Sequence, residues 1–292
     1  MRERGPPSER DPADLLAFGV VNLDKPPGPS AHQVAGWVRD VAGVDRAAHA
    51  GTLDPKVTGC LPVLTGDATR AARVFDDSRK GYVAVLKLHA PPPTDLESTL
   101  SEFEGPLHQK PPRKSAVVRR LRRRTVFRLG ALEVDDQQVL LGIDCESGTY
   151  VRKLCHDLGL ALGTGAHMGG LRRRRTGDFD DAALVTMHDL ADGVAFWEEE
   201  GDADLLRRVV QPAERALADL PSLTVARSAA REVANGAQLY APGVVDADLG
   251  GAETGALVAC YTPDGAAVCL GHLAGDPGAE TGLVVELERV LV

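Results

Sequence analysis

"HAGTLDPKVTGCLPVLTGDATR", residues 49–70, holds a lone carboxylate, Asp54, between Leu53 and Pro55 in a run made largely of small and apolar residues. Proline disfavours the helical backbone for the residue before it, so Asp54 is expected to be extended. Gly51 permits a tight approach of backbone or ligand. A carboxylate is thereby presented on a stiff loop, the kind of segment on which chemistry usually sits. Such a group can act as a nucleophile. Asp-Pro is equally an ordinary turn pair, and these few letters leave both readings open.

Working outward, "FGVVNLDKPPGPSAH" (18–32) begins as a short apolar strand and breaks at Lys25-Pro26-Pro27-Gly28-Pro29, a rigid non-helical loop. "HQVAGWVRDVAG" (32–43) reads as a helix with Val34, Trp37, Val38 and Val41 on one face and Gly43 as its stop. Residues 66–75 read as a second helix. "KGYVAVLKLHA" (80–90) alternates, with Tyr82, Ala84, Leu86 and Leu88 to one side, and is a strand. "TDLESTLSEFEG" opens with a capping box from Thr94 to Glu97 and ends at Gly105 as a helix. Residues 138–148 form a buried strand ending in a turn. Residues 149–163 form a helix with Val151, Leu154, Cys155, Leu158 and Leu162 at helical spacing.

Strands and helices mix without strict βαβ alternation, which favours α+β over a doubly wound sheet. Near residue 219 the chain becomes Gly-rich, with short strands at 256–261 and 266–271. The expected division is a mobile polar tail over 1–14, a large domain over 15–218 and a small β-rich module over 219–292. The tail has no apolar core of the kind a secretory signal needs.

The 292 residues carry a net charge of −9, which by itself argues against a polyanionic partner. The distribution argues the other way. "RKSAVVRRLRRRTVFR" (113–128) has eight basic side chains and no acid, and "LRRRR" follows at 171–175. Residues 176–204 carry ten acids and no Lys or Arg. Segregation of this kind permits a local positive field on a negative protein and points to nucleic acid. Arginines far outnumber the seven lysines, which with the acidic excess suggests adaptation to a salty cytoplasm. The five cysteines are odd in number and form no C-x-x-C, which argues for a reducing cytosol rather than a disulfide framework or zinc site. A P-loop, a dinucleotide fingerprint, H-E-x-x-H and G-x-S-x-G are all missing, so a nucleotide cofactor, a metal and a hydrolase triad are poorly supported.

Residues 49–70 resemble the motif of the TruB/dyskerin family of RNA pseudouridine synthases. "VVNLDKPPGPSAH" before it and "GTYVRKLCHDLGLALGTGAHMGGLRRRRTG" (148–177) after it are similar to further family motifs, in the family's order. "FEGPLHQKPPRKSAVVRRLRRRTVF" resembles the archaeal and eukaryotic dyskerin branch, and "GAQLYAPGV" resembles the PUA RNA-binding module. The resemblance implies a mixed, mainly antiparallel catalytic sheet with flanking helices, followed by a small PUA barrel.

It also implies cofactor-free isomerisation of uridine to pseudouridine within RNA. By position, Asp54 is then the nucleophile, Tyr82 stacks on the target base and is a candidate for proton handling, and Arg152 pairs with the aspartate. Chemistry agrees with each role. A base covering a carboxylate favours its neutral form, and a guanidinium opposes this. An extruded base needs an aromatic face to hold it. His49 resembles the histidine that accommodates the flipped nucleotide, and Lys25 with Pro26 matches a loop supporting the site. Tyr150 and Leu171 match positions lining the uracil pocket, with core packing as their rival. Arg113, Lys114, Arg119 and Arg120 of the basic run, and Gly236 of the PUA-like stretch, complete the RNA-binding set. Ser30-Ala31-His32 departs from the family's Thr-Ser-His and puts an RNA contact from residue 31 in question.

The dyskerin branch acts within an H/ACA ribonucleoprotein, with a guide RNA and small partner proteins, and also on the T-loop uridine of tRNA. Both targets stay open. The rival classes are a non-catalytic RNA-binding scaffold and, more weakly, a base-exchanging tRNA transglycosylase.

Overall fold

A computed structural model describes residues 4–110 and 120–292. Its helices are α1 (Pro12–Ala17), α2 (Ala31–Val41), α3 (Leu96–Glu102), α4 (Val151–Ala161), α5 (Met187–Glu200), α6 (Asp204–Val209) and α7 (Arg227–Ala234). The larger sheet contains β1 (Gly19–Lys25), β2 (Ala47–His49), β3 (Thr58–Thr65), β4 (Lys80–Leu88), β5 (Gly105–Gln109), β6 (Arg122–Asp135), β7 (Gln138–Cys145), β8 (Ala166–Thr176), β9 (Phe179–Asp180) and β10 (Val210–Pro212). Their order is β10-β1-β3-β8-β4-β7-β6-β5, with β2 beside β3 and β9 beside β8. β3 and β8 run parallel, and the other neighbours run antiparallel. This is the mixed, mainly antiparallel α+β arrangement expected from the sequence.

One edge of β3 is divided. β2 pairs with residues 63–65 and β8 with residues 58–59, leaving 60–62 between them. Pro62 explains the division. Ala50 N–H donates to the Pro62 carbonyl at 2.8 Å, but proline has no N–H to return, so the β2–β3 ladder stops. The chain leaves the sheet at this point and enters the loop that carries Asp54.

Two apolar cores lie along the sheet. One packs Val34 and Val38 of α2 and Leu190 of α5 on Val21, Leu23 and Leu61. The other packs Leu100, Leu154 and Leu158 of α3 and α4 on Leu86 and Leu141. Tyr82 and Leu171 contact both cores and so mark the seam between them.

The second sheet contains β11 (Ser222–Val225), β12 (Leu239–Tyr240), β13 (Val244–Asp248), β14 (Leu257–Tyr261), β15 (Ala267–Leu273) and β16 (Leu283–Val290), ordered β12-β16-β15-β14-β11-β13. Ala230 and Val233 of α7 join its core. The two sheets are joined by a third cluster, in which Phe18, Val20, Leu64 and Leu217 meet Leu270 and Leu291.

Several expectations need correction. α2 starts at Ala31, because Ser30 and Gln33 form a reciprocal capping box. Ala31 is buried in the first core, so the missing hydroxyl there bears on packing rather than on RNA. The capping box from Thr94 to Glu97 is absent. After three prolines the chain turns through Leu96 N–H to Pro93 O, and Asp95 occupies the N-cap without a side-chain bond. Residues 66–75 are helical over the expected bounds, as a 3₁₀-helix. Within the stretch expected as a mobile tail, residues 7–14 are structured. Asp11 caps α1, and Arg10 is 2 % exposed and held bidentate by Glu214 at 2.8 and 2.5 Å. A buried guanidinium needs such a partner, and Glu214 completes the link by accepting Ala267 N–H at 3.0 Å.

Candidate active site

The Asp54 loop is pinned by apolar residues on both sides of the acid. Leu53 and Val57 are each 4 % exposed and sink into the first core, while Asp54 stays at the surface. Val57 N–H donates to Asp54 O at 3.0 Å, so Asp54-Pro55-Lys56-Val57 is a turn, with Asp in its first position and Pro in its second. The turn reading and the site reading of Asp-Pro therefore hold together. Gly51 has φ of +84°, which its lack of a Cβ allows.

Lys25 holds the far side of this loop. It is fully buried, and its ammonium donates to the carbonyls of Pro26 (2.9 Å), Pro55 (3.1 Å) and Val57 (2.8 Å). Burial lowers its proton affinity, and the Asp54 carboxylate partly restores it. As an RNA contact Lys25 is therefore corrected. It is enclosed beneath the loop, and all three of its donors go to backbone oxygens.

Arg152, in the first turn of α4, reaches across and forms an ion pair with Asp54. The side chains are 47 % and 55 % exposed, so their attraction contributes little to stability. Its effect is to aim and hold a carboxylate that no other described side chain grips. Gln109, 2 % exposed, fixes the entrance to α4 by pairing both ways with the Tyr150 backbone at 2.9 and 3.3 Å.

Asp54, Tyr82, Tyr150, Arg152 and Leu171 line one cleft of about 350 Å³, together with Gly51, Lys80, Met168 and Arg173. The volume is in the range of small-ligand pockets. Tyr82 sits on β4 opposite Arg173 of β8. Burial raises the phenol's proton affinity, so Tyr82 stays neutral and suits stacking and hydrogen bonding.

The sequence reading did not single out the residues beneath the cleft. Lys80 is 3 % exposed and donates to Phe75 O at 3.0 Å and Ser78 Oγ at 2.5 Å. Burial, helped by the Arg173 charge, lowers its pKa to about 7. Arg173 is 1 % exposed and donates to Cys60 O at 2.7 Å, Ala50 O at 3.2 Å and Gly51 O at 3.3–3.4 Å. The available signal for Lys80 was its place two residues before Tyr82 on an alternating strand. Arg173 was hidden inside a run that reads as surface charge.

The remaining candidates lie elsewhere. His49 ends β2, half-buried, with its Nδ1 unpartnered. Burial and the nearby Arg173 and His32 charges disfavour its protonation. Arg113, Lys114 and Arg119 lie outside the described residues. Arg120 is exposed just before β6. Gly236, φ +96°, forms the turn after α7 in the second sheet, far along the chain from the cleft. The 171–175 run is also less of a free positive patch than its letters imply. Arg172 is bidentate to Asp24 at 2.9 and 3.0 Å, Arg174 pairs with Asp181 at 3.0 Å, and Arg175 pairs with Asp144.

Residues 39–151 match the TruB family pseudouridylate synthase N-terminal domain, and 152–218 match the tRNA pseudouridylate synthase B C-terminal domain. Residues 221–276 match the PUA domain, and 4–35 match the DKCLD domain. The chain is 63 % identical to a probable tRNA pseudouridine synthase B of Halobacterium salinarum, with 99 % of each chain covered. It is 61 % identical to the protein of the same description from Haloarcula marismortui, over 100 % of this chain and 94 % of that one. Among solved structures it is similar to a Cbf5-Nop10-Gar1 complex (41 % identity, TM-score 0.93, 99 % and 90 % covered). It is likewise similar to an H/ACA RNP bound to a substrate RNA containing 2'-deoxyuridine (39 % identity, TM-score 0.92, 99 % and 90 % covered).

Proposed function

This chain belongs to the TruB family of pseudouridylate synthases, and on that premise we propose that it isomerises uridine to pseudouridine in RNA with Asp54 as the nucleophile. The observation that carries the residue roles is the cleft itself. Asp54, Arg152 and Tyr82, drawn from a loop, a helix and a strand far apart in sequence, converge on it.

The uridine leaves its stack and enters the cleft. Tyr82 supplies an aromatic face, with Leu171 and Met168 as apolar walls. The Asp54 carboxylate attacks C1′, and the N1–C1′ bond breaks with its electron pair leaving on uracil. The freed base turns, C5 attacks C1′ and the Asp54 O–C1′ bond breaks, returning its electron pair to the carboxylate; the C5 proton then leaves and N1 gains one, so the atoms and electrons balance. Arg152, paired with Asp54, directs the carboxylate until the base covers it. Neutral Tyr82 is suited to stack and donate a hydrogen bond rather than to act as a phenolate base.

The relatives, described as tRNA enzymes, favour tRNA, and the similar structures, a Cbf5-Nop10-Gar1 complex and an H/ACA RNP bound to a substrate RNA, favour a particle with Nop10- and Gar1-type partners. We place both within its range, with action in the cytoplasm. The catalytic unit would span 15–218, and the PUA module, 219–292, would grip RNA near Gly236. No described helix is long and apolar enough to cross a membrane.

The test is incubation of the purified chain with a tRNA transcript and with a guide–target pair, each with and without partner proteins, followed by chemical mapping of pseudouridine. Product that depends on guide and partners assigns the particle role, and product without them assigns the tRNA role. If product persists at the original rate in Asp54→Asn, the nucleophile assignment is lost and a scaffold role gains.

A further inference from the structure

We propose that Arg173 is a positioning residue for the reaction, a guanidinium that stands in for missing sheet hydrogen bonds and thereby sets where Asp54 sits. This rests on the reading of the site given above.

The β3 edge at 60–62 has neither β2 nor β8 against it. Pro62 cannot donate to the Ala50 carbonyl, which would be left as an orphan acceptor in a buried place. Arg173 Nη2 takes that carbonyl at 3.2 Å, and Nε takes Cys60 O, on the other bank of the gap, at 2.7 Å. Its terminal nitrogens also reach Gly51 O, at 3.3 and 3.4 Å. One planar fork thus ties β3 to the three-residue approach that ends at Asp54. Lysine, with a single nitrogen, cannot span both banks.

The arrangement is two-sided. Lys25 ties Pro55 and Val57 after the acid, and Arg173 ties Ala50 and Gly51 before it. Among the described residues neither cation has a carboxylate within ion-pair distance, although both are buried. Their bonds go to backbone oxygens, which places their function in loop geometry rather than in ion pairing. Arg173 also stands opposite Tyr82 on the neighbouring strand, so one side chain references the nucleophile and the base-stacking ring to the same point.

The test is Arg173→Lys, assayed for turnover and RNA affinity alongside Leu100→Ala, a destabilised control whose change lies in the α3 core. A misplaced nucleophile is expected to lower kcat by about 100-fold. KM and RNA affinity should stay within about threefold, since Arg173 is 1 % exposed and offers RNA almost no surface. Leu100→Ala should lose melting temperature without that loss of kcat. If the folded Arg173→Lys protein keeps kcat within about threefold of wild type, the assignment is overturned.

Gly51→Ala gives a second route should Arg173→Lys not fold. A Cβ there strains the +84° backbone and points at the buried cations, meeting Arg173 Nη1 at 3.4 Å and Lys80 Cε at 3.8 Å. It should also lower kcat, and an unchanged kcat overturns the assignment. A wild-type chain that makes no pseudouridine under any condition overturns the reading of the reaction, and this assignment with it. An active wild type with normal variants overturns only the assignment.

Discussion

Two guanidinium–carboxylate pairs do opposite work in this chain. Arg10–Glu214 lies between the two sheets, its side chains 1 % and 10 % exposed. Arg152–Asp54 lies in the cleft at 47 % and 55 %. Solvent decides what each can do. The enclosed pair must stay paired, because either charge left alone there is costly, so it holds the N-terminal segment and the second sheet to one geometry. The open pair can be parted at small cost, which is what a nucleophile requires. Contact with a cation alone therefore does not single out a carboxylate for catalysis, whereas contact with a cation in an accessible cleft beside an aromatic face supports the role proposed for Asp54.

The comparison breaks first at Asp54. Asp54→Asn keeps size and shape and is expected to lower the rate of pseudouridine formation by at least about 10⁴-fold, the scale of losing an attacking group. The melting temperature should stay within a degree or two, as an exposed pair contributes little. A large fall in melting temperature would place this pair with the structural one. Arg10→Ala should show the reverse. It leaves Glu214 buried and uncompensated and should cost about 3–5 kcal/mol, read by denaturant unfolding. Turnover per folded molecule should be preserved. Arg152→Ala should sit between them, with about 100-fold lost from kcat and stability little changed.

The sequence made the cleft legible and left its foundations hidden, for a physical reason. Asp54 and Arg152 are exposed groups and Tyr82 a partly buried one, all on recognisable local patterns, and such groups advertise themselves. Arg173 and Lys80 are cations, and pattern reading sends cations to the surface. Their burial follows from acceptors supplied by distant backbone, such as Ala50 O, stranded by Pro62, which no local pattern contains. Long β6 and β8 escaped assignment similarly. Their arginines break the alternation of a strand, yet on β8 they are accommodated by Asp24, Asp144 and Asp181 from other elements. Segregated charge along the chain thus became paired charge in space. The helices were easier, since Leu154, Leu158 and their neighbours on α4 repeat at 3.6-residue spacing wherever the chain is later placed.

The smallest expected effect concerns a third kind of cation, one buried with no carboxylate within ion-pair distance among the described residues. Lys80 titrates at about 7 in the folded chain, lowered by burial, against an ordinary value of 10.5. Between those values the unfolded chain binds the proton that the folded chain has released, so stability rises with pH through that window. Below it both states are protonated, and the full cost of the enclosed charge is felt. The slope is bounded by about 1.4 kcal/mol per pH unit for one group. Lys80→Met, which keeps the stem and removes the charge, should flatten this part of the curve, so the difference between the two proteins isolates Lys80 from every other titrating group. The expected difference amounts to about 1 kcal/mol between pH 7 and 8 by denaturant unfolding. Parallel curves would mean that Lys80 keeps its proton across the range. The cleft floor would then carry two permanent charges beneath Asp54, and any pH dependence of turnover would have to come from groups other than Lys80.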